Sequence, residues 1–271
     1  MRWSRERLLG RTYRALAASD LVTRAALHLR GVASAVLGKR LARSTLPHQN
    51  GELWLAGELA DAIEVAVDVG ANVGDWSAMA LARFPKLARL VAFEPGAVAV
   101  SLRTRLRDDP RATVIEAAVS DSPGSVTLFE QTDDTKLSSL IPTAFTTPRT
   151  VDCVRLDDEL ARLGLPRVDL LKIDAEGLDL HVLRGASGAL AERRIAAVQF
   201  EYGPLWQQAG STLHAAYRLL GEAGYRTLLI TPRGLREFPV TQITELYVYA
   251  NFVALAPSLA ERFSDSIRPI W

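Results

Sequence analysis

The amino-acid sequence predicts an α/β fold, in which helices cover a mostly parallel sheet of seven strands with one antiparallel strand. Two observations lead to this prediction. Short apolar runs of strand type alternate with stretches of helical periodicity, and Gly or Pro residues separate them. Strands that alternate with helices form right-handed βαβ crossovers, so the sheet is largely parallel. The 271-residue chain is 48% hydrophobic, which is enough to bury one large core.

The predicted elements follow one another regularly from residue 65 onward. Strands are expected at 65–69, 89–94, 113–118, 168–174, 195–201, 225–231 and 246–255. Helices are expected near 75–84, 96–108, 156–163, 178–191 and 212–223. The last two strands are joined by a short connection containing Pro232, Gly234 and Pro239, which is compatible with a hairpin and makes the final strand antiparallel.

The first predicted strand ends in a turn that suits a bound ligand. Asp68 lies near the end of the apolar run, Gly70 and Gly74 flank the turn, and a helix begins near Asp75. Glycine lets the backbone approach a ligand closely, and the helix N-terminus offers free N–H donors. The spacing is not the Gly-x-Gly-x-x-Gly pattern of a dinucleotide site. The Asp68 carboxylate would repel a pyrophosphate and suits the ammonium of an amino-acid-like cofactor, reached directly or through water.

The next two strand ends also carry residues that suit a nucleoside. Glu94 ends the second strand, at a position where an acid accepts hydrogen bonds from ribose hydroxyls. After the third strand, Ala118 and Val119 offer an apolar surface for an adenine, and Asp121 would lie near its amino group. Three such strand ends fit S-adenosylmethionine better than NAD.

The fourth strand end is the best candidate for the chemistry. Alternation points Lys172 and Asp174 to the same side, and Glu176 follows where the chain leaves the sheet. Methyl transfer to a hydroxyl needs alignment and removal of the hydroxyl proton, which a carboxylate can accept. Alternatively, Asp174, Glu176 and Glu201 form an oxygen-ligand set for Mg²⁺ or another divalent cation. A purely structural interpretation is that these acids bind loop amides and position Lys172.

Several of these segments, taken together, resemble one enzyme family. They are Asp68-Val-Gly-Ala-Asn-Val-Gly74, Phe93-Glu-Pro95, Ala118-Val-Ser-Asp121, Leu171-Lys-Ile-Asp-Ala-Glu-Gly177 and Leu183-Arg-Gly185. This ordered set is similar to the FkbM family of S-adenosylmethionine-dependent methyltransferases, from about residue 64 to 257. The resemblance implies a Rossmann-like class I methyltransferase fold and an acceptor from natural-product or saccharide tailoring.

The predicted site residues therefore fall into four groups. The cofactor-binding residues are Asp68, Gly70, Asn72, Gly74, Glu94, Ala118, Val119, Asp121 and Asp174. The catalytic residues are Asp174, Glu176 and Lys172. The metal ligands are Asp174, Glu176 and Glu201. The substrate-binding residues are Ser138 and Ser139, in an irregular stretch 130–149 that covers the site, and Tyr202 and Trp206, which form an apolar wall.

The N-terminal part of the chain differs from the rest in charge. Residues 1–45 hold ten Lys/Arg and two acids, a net charge of +8 that leaves −7 for the remainder. We expect residues 1–50 to form a basic helical arm or lid and 51–271 the methyltransferase domain. A homodimer contact or attraction to an anionic partner or membrane surface are alternatives. The longest uncharged apolar run is far too short to span a membrane.

Composition excludes several other classes of protein. Cys153 is the only cysteine, so neither a disulfide framework nor a cysteine-rich metal site is expected, and a cytoplasmic location is the natural one. The basic arm lacks an interleaved aromatic platform, which argues against nucleic acid. The function predicted is an O-methyltransferase acting on a small-molecule or saccharide hydroxyl. N-methylation, a peptide acceptor, and an inactive cofactor-binding interaction module are the alternatives.

Overall fold

The computed structural model describes residues 19–44, 46–131, 138–139, 146–238, 240 and 249–270. The chain divides into two units, Met1–Leu41 and Ala42–Trp271. In the first unit, residues Asp20–Arg40 form helix α1, which begins after Ser19 and ends with Lys39 and Arg40 in its last turn, where cations favour the helix dipole. No helix in the described ranges is both long enough and apolar enough to cross a membrane.

The second unit contains the remaining elements. Its helices are α2 (Pro47–Asn50), α3 (Glu52–Leu59), α4 (Asp75–Arg83), α5 (Ala99–Leu106), α6 (Leu156–Arg162), α7 (Asp179–Gly185), α8 (Ser187–Ala191), α9 (Leu205–Gln208), α10 (Leu213–Glu222) and α11 (Pro257–Arg262). Its strands are β1 (Val65–Val69), β2 (Arg89–Phe93), β3 (Ala112–Ile115), β4 (Ala118–Val119), β5 (Gly124–Gln131), β6 (Ser138–Ser139), β7 (Thr146–Val154), β8 (Val168–Ile173), β9 (Ile195–Tyr202), β10 (Arg226–Thr231), β11 (Gly234–Glu237), β12 (Ala250–Leu255) and β13 (Arg268–Pro269).

The main sheet confirms the predicted fold class. Its strand order is β13-β11-β10-β12-β9-β8-β1-β2-β3. Strands β9, β8, β1, β2 and β3 pair in parallel, whereas β12 is antiparallel to both β9 and β10. Val69 lies in register with Phe93 and Ile173, so the carboxyl ends of β1, β2 and β8 meet at one edge of the sheet.

The central strands of this sheet are mostly apolar because helices cover both faces. All six residues of β8 are buried. Leu55 of α3, Phe84 after α4 and Leu102 of α5 pack in one cluster with Ala66 and Leu170 of the sheet. On this same face, strand alternation places Asp68 two residues after Ala66 and Lys172 two after Leu170. The buried face of the sheet therefore becomes polar toward the carboxyl ends of β1 and β8.

The number of strands differs from the prediction. Within the described residues the main sheet has nine strands, because Pro232 and Arg233 connect β10 directly to β11 and β13 pairs with β11. A separate sheet of order β4-β7-β5-β6 also forms, which the sequence did not predict. Its β5 and β7 strands extend into the stretch 130–149 that was expected to be irregular, since Glu130 pairs with Thr147.

Candidate functional site

The turn after β1 is held against two neighbouring strand ends. The backbone N–H groups of Gly70 and Ala71 both donate to the Phe93 carbonyl, at 3.0 and 2.9 Å. Gly70 has a φ of +78°, and a Cβ there would collide with the carbonyl oxygen of Asp174. Only glycine permits both this conformation and this close approach. The turn therefore brings the ends of β1, β2 and β8 together.

Glu94 is a buried carboxylate that the same turn orients. Its Oε2 accepts a hydrogen bond from the Asn72 N–H at 2.8 Å, and its Oε1 accepts one from the Gly96 N–H at 2.7 Å. Burial raises the pKa of Glu94, and the two backbone hydrogen bonds oppose that rise. Each oxygen keeps a free lone pair, so the carboxylate can still accept donors from a ligand.

A cavity of about 650 Å³ lies at this edge of the sheet. Among the predicted cofactor-binding residues, those that line it are Gly70, Asn72, Glu94, Ala118, Val119 and Asp174. Val69, Leu128 and Leu178 add apolar surface, and Glu176 adds a second carboxylate beside Asp174. The cavity thus combines an apolar part with carboxylates, as the sequence led us to expect for a nucleoside-containing ligand.

Three other predicted cofactor residues do not line this cavity. Asp68 is buried beneath the turn, where its Oδ2 accepts a hydrogen bond from the Ser77 hydroxyl at 2.6 Å, and burial raises its pKa to about 6. Gly74 begins helix α4 with a φ of +85°. Asp121 Oδ2 lies 3.1 Å from His181 Nδ1. Asp68 and Gly74 therefore shape the turn, whereas Asp121 contacts His181 of α7.

Lys172 is an ammonium group buried in the sheet at the fourth strand end. Its side chain is only 4% exposed, and its Nζ lies 3.3 Å from Asp174 Oδ2 and 3.9 Å from Glu52 Oε1. Burial alone would lower the Lys172 pKa, but the surrounding carboxylates, led by Asp174 and Glu52, outweigh it and raise the pKa. Lys172 therefore stays charged. It does not line the cavity above, and its nearest carboxylate is that of Asp174.

Glu52 is a partner of Lys172 that the sequence did not predict. It lies in the first turn of α3. Besides Lys172, it accepts hydrogen bonds from Gln199 Nε2 at 2.7 Å and Asn50 Nδ2 at 3.0 Å. No local signal marks this role, because the partners Lys172 and Gln199 lie more than a hundred positions further along the chain.

The carboxylates around Asp174 hold protons more tightly than usual. Burial, with Asp174 nearby, raises the pKa of Glu176 to about 7 and that of Asp179 to about 7. The same causes raise the pKa of Glu201. Glu176 also has a φ of +49°, a strained conformation for a residue with a side chain. Asp179 was not predicted, although the spacing Asp174-x-Glu176-x-x-Asp179 is a signal in the sequence that indicates it.

The predicted metal set is not supported. In the described part of the chain, no group of three or more His, Cys, Asp or Glu side chains has an arrangement that could hold a metal ion. Asp174, Glu176 and Glu201 do border one small cavity. Asp174 is paired with the Lys172 ammonium, which already supplies a positive charge beside these carboxylates.

The predicted substrate residues have different surroundings. Trp206 borders the small cavity, and its Nε1 donates to the Glu201 carbonyl at 2.9 Å. Tyr202 does not border it. Tyr202 is buried, with its ring packed edge-on against Trp206. Ser138 and Ser139 form β6, where they pair with Glu130 and Phe129.

Comparison with known proteins agrees with this geometry. Residues 68–227, more than half of the chain, match the methyltransferase FkbM domain. The chain belongs to the FkbM methyltransferase family. The matched segment runs from Asp68, through the cavity and the Lys172–Glu176 strand end, to the start of β10. Glu52 and helix α3 precede it.

Two curated relatives of this FkbM-family protein are methyltransferases by name. Methyltransferase sdnD of Sordaria araneosa is 30% identical over 153 residues, which cover 44% of this chain and 59% of that protein. The 2-O-methyltransferase NoeI of Sinorhizobium fredii (strain NBRC 101917 / NGR234) is 26% identical over 160 residues, covering 53% of this chain and 65% of that protein. The matches thus span less than two thirds of either relative.

A solved FkbM methyltransferase is also similar in structure. The protein from Methylobacillus flagellatus KT aligns with a TM-score of 0.47 at 18% identity, over 70% of this chain and 43% of that one.

Proposed function

We propose that this FkbM-family protein is an S-adenosylmethionine-dependent O-methyltransferase that acts on a hydroxyl of a small molecule or saccharide. The observation that carries the proposal is the 650 Å³ cavity, in which a pre-oriented Glu94 and an apolar surface lie beside Asp174 and Glu176. The name of the relative NoeI, a 2-O-methyltransferase, supports oxygen as the atom methylated.

The cavity's chemistry suits the parts of S-adenosylmethionine. Glu94 would accept hydrogen bonds from the ribose hydroxyls, because its two oxygens keep free lone pairs. Ala118, Val119 and Leu128 offer the apolar surface that an adenine needs. Asp174 and Glu176 provide negative charge near a cationic ligand.

The chain's own residues then have two tasks, alignment and proton removal. S-adenosylmethionine supplies a methyl group that is bonded to a positively charged sulfur. When the methyl group bonds to the acceptor oxygen, that sulfur becomes part of a neutral thioether. Glu176 is the leading acceptor of the hydroxyl proton, because a carboxylate with a pKa of about 7 suits general-base catalysis near neutral pH. Asp174 is paired with Lys172, so its role is to hold position and charge.

Calorimetric titration tests the cofactor part of the proposal. S-adenosylmethionine and S-adenosylhomocysteine should bind, whereas NAD and ATP should not. Glu94→Ala should weaken S-adenosylhomocysteine binding by about 1–3 kcal/mol, because the ribose hydroxyls lose a charged hydrogen-bond acceptor.

Glu116→Ala is the matched control for Glu94→Ala. Glu116 forms partly exposed ion pairs with Arg103 and Arg149 and does not line the cavity, so cofactor affinity should stay unchanged. Tight NAD binding, or equal effects of the two variants, would contradict the proposed function.

A further inference from the structure

Three polar side chains lie in one row across the centre of the main sheet. Asp68 of β1 is in register with Lys172 of β8, and Lys172 is in register with Gln199 of β9. All three residues are at most 3% exposed. Residues in register on adjacent strands point to the same face of a sheet, which here is the face that α3 covers. The row therefore lies beneath α3, two residues before the strand end at Asp174.

Glu52 of α3 completes this buried polar row. Its Oε1 accepts a hydrogen bond from Gln199 Nε2 at 2.7 Å and lies 3.9 Å from Lys172 Nζ. Its Oε2 accepts a hydrogen bond from Asn50 Nδ2 at 3.0 Å, and its backbone N–H donates to Asn50 Oδ1 at 3.0 Å. Both carboxylate oxygens thus have donors, and a fully satisfied network of this kind holds a side chain in one orientation.

The backbone at the start of α3 is also fixed against the sheet. Gly51, between α2 and α3, has a φ of +92°, and a Cβ there would collide with the Thr231 backbone of β10. Only glycine permits both this conformation and this close approach. The Glu52 carboxylate therefore reaches Lys172 from a position that contact with the sheet determines.

The Lys172 ammonium is shared between two carboxylates. Its Nζ lies 3.3 Å from Asp174 Oδ2 and 3.9 Å from Glu52 Oε1. Asp174 lines the cofactor cavity, and Glu52 is not one of the described residues around that cavity. One positive charge cannot neutralise two carboxylates, so a net negative charge remains beside the cavity. Such a charge acts over several ångströms inside a protein, because the effective dielectric constant there is low.

We propose that Glu52 is a positioning residue of the methyl-transfer site: by sharing the Lys172 ammonium, it leaves the Asp174 carboxylate only partly neutralised and so favours a cationic cofactor. The inference rests on the proposed function and adds a residue that precedes the segment matched by the FkbM domain. S-adenosylmethionine carries a positively charged sulfur, whereas the sulfur of the product S-adenosylhomocysteine is neutral. Glu52 therefore strengthens binding of the substrate form of the cofactor relative to the product form.

Calorimetric titration of both forms of the cofactor tests this role. Glu52→Gln is nearly isosteric, keeps an oxygen that can accept from Gln199, and removes one negative charge. It should weaken S-adenosylmethionine binding about threefold or more relative to S-adenosylhomocysteine binding, because Lys172 then neutralises Asp174 more fully. Glu52→Asp keeps the charge and should retain most of the wild-type preference. A role in folding alone would leave the ratio of the two affinities unchanged.

Glu58→Gln is the matched control. It makes the same substitution in the same helix at an exposed side chain, so both affinities should stay unchanged. Gln199→Leu is a second variant, which removes the donor to Glu52 Oε1 and leaves every charge in place. It should shift the preference in the same direction by a smaller factor, because Glu52 is then held less firmly beside Lys172. This variant decides the outcome if Glu52→Gln does not fold.

The ratio of the two dissociation constants distinguishes the outcomes. An unchanged ratio in Glu52→Gln, or in Gln199→Leu where that variant decides, would overturn the role of Glu52. Equal shifts in Glu52→Gln and in Glu52→Asp or Glu58→Gln would overturn it as well. If the wild-type protein bound neither form of the cofactor, the proposed function itself would be wrong.

Discussion

At the residue scale, the site depends on a lysine surrounded by acids. The acids around Lys172 come from three parts of the chain: Asp174 lies two residues further on, Glu52 is in α3 and Glu201 is near the end of β9. Burying an ammonium group is expensive unless carboxylates surround it. Lys172 in turn stabilises the charged forms of these acids. It lowers the pKa values of Glu176 and Asp179, which burial raises.

The raised pKa values predict how stability depends on pH. Asp68, Glu176 and Asp179 have folded-state pKa values of about 6, 7 and 7, above their ordinary values near 4. The folded protein therefore binds more protons than the unfolded chain between about pH 4 and 7. The stabilisation from these groups is complete below pH 4 and is lost as the pH rises through 6 to 7.

Unfolding in urea at pH 5, 6, 7 and 8 measures this effect. Each group can contribute a slope of up to about 1.4 kcal/mol per pH unit. Asp179→Asn should flatten the decline relative to the wild type, because one titrating carboxylate is removed. An identical pH dependence in wild type and variant would show that Asp179 does not retain its proton in the folded state.

Some of the residues around the site could be predicted from the sequence, and others could not. Asp174, Glu176 and Glu94 were predictable because each follows a mostly apolar strand, and parallel strands bring such ends to one edge. Glu52 could not be predicted in the same way. Its partners are set by the packing of α3, which depends on contacts distant in sequence.

At the element scale, the turn after β1 is the most constrained backbone of the site. It carries a positive φ at Gly70 and another, of +52°, at Asn72. Two of its N–H groups bind the Phe93 carbonyl, and a third, that of Asn72, binds Glu94. A change in this turn should therefore affect the orientation of Glu94 as well as the fold.

Gly70→Ala should abolish cofactor binding and destabilise the protein. The new Cβ would collide with the Asp174 carbonyl, and alanine at this φ costs a further ~1 kcal/mol or more. Gly57→Ala is the matched control. Gly57 is exposed in α3 with open space around it, so the substitution should stabilise by about 0.5–1 kcal/mol through helix propensity. Thermal unfolding and S-adenosylhomocysteine titration measure both effects, and equal changes in the two variants would contradict the role assigned to the turn.

The second sheet shows where sequence reasoning fails at this scale. Strands β5 and β7 bury few side chains, with Leu128, Val151 and Cys153 as their core. A half-exposed antiparallel pair gives a weak alternation, and Pro148 within β7 suggests a loop. The parallel strands of the main sheet were predictable for the opposite reason, because burial on both faces leaves them mostly apolar.

At the scale of the whole molecule, the functional unit begins before the segment that matches the FkbM domain. That match starts at Asp68, yet helix α3 contributes Glu52 to Lys172 and buries Leu55 and Leu59 in the main core. The division of the chain falls earlier still, between Leu41 and Ala42. Residues 42–67 therefore belong with the catalytic unit.

Two truncations test where that unit begins. Removing residues 1–41 should leave unfolding of the remaining unit and its S-adenosylhomocysteine affinity unchanged, since every strand of both sheets lies after residue 64. Removing residues 1–60 should lower the free energy of unfolding by at least about 3 kcal/mol. The buried Lys172 then loses the Glu52 carboxylate, and the core loses Leu55 and Leu59.

The shorter truncation also tests the predicted lid, because it removes most of the net charge of +8 that residues 1–45 hold. The full chain and the chain lacking residues 1–41 should be compared for methyl transfer and for co-sedimentation with anionic liposomes. A lid excludes water from the reaction, so its removal should lower turnover of the acceptor while cofactor affinity stays constant. Equal turnover, together with liposome binding by the full chain alone, would instead assign the arm to an anionic membrane surface.

The stability of the two truncated proteins is a separate test of α3. If both had the same free energy of unfolding, α3 would not be part of the catalytic unit, and Glu52 would not stabilise Lys172.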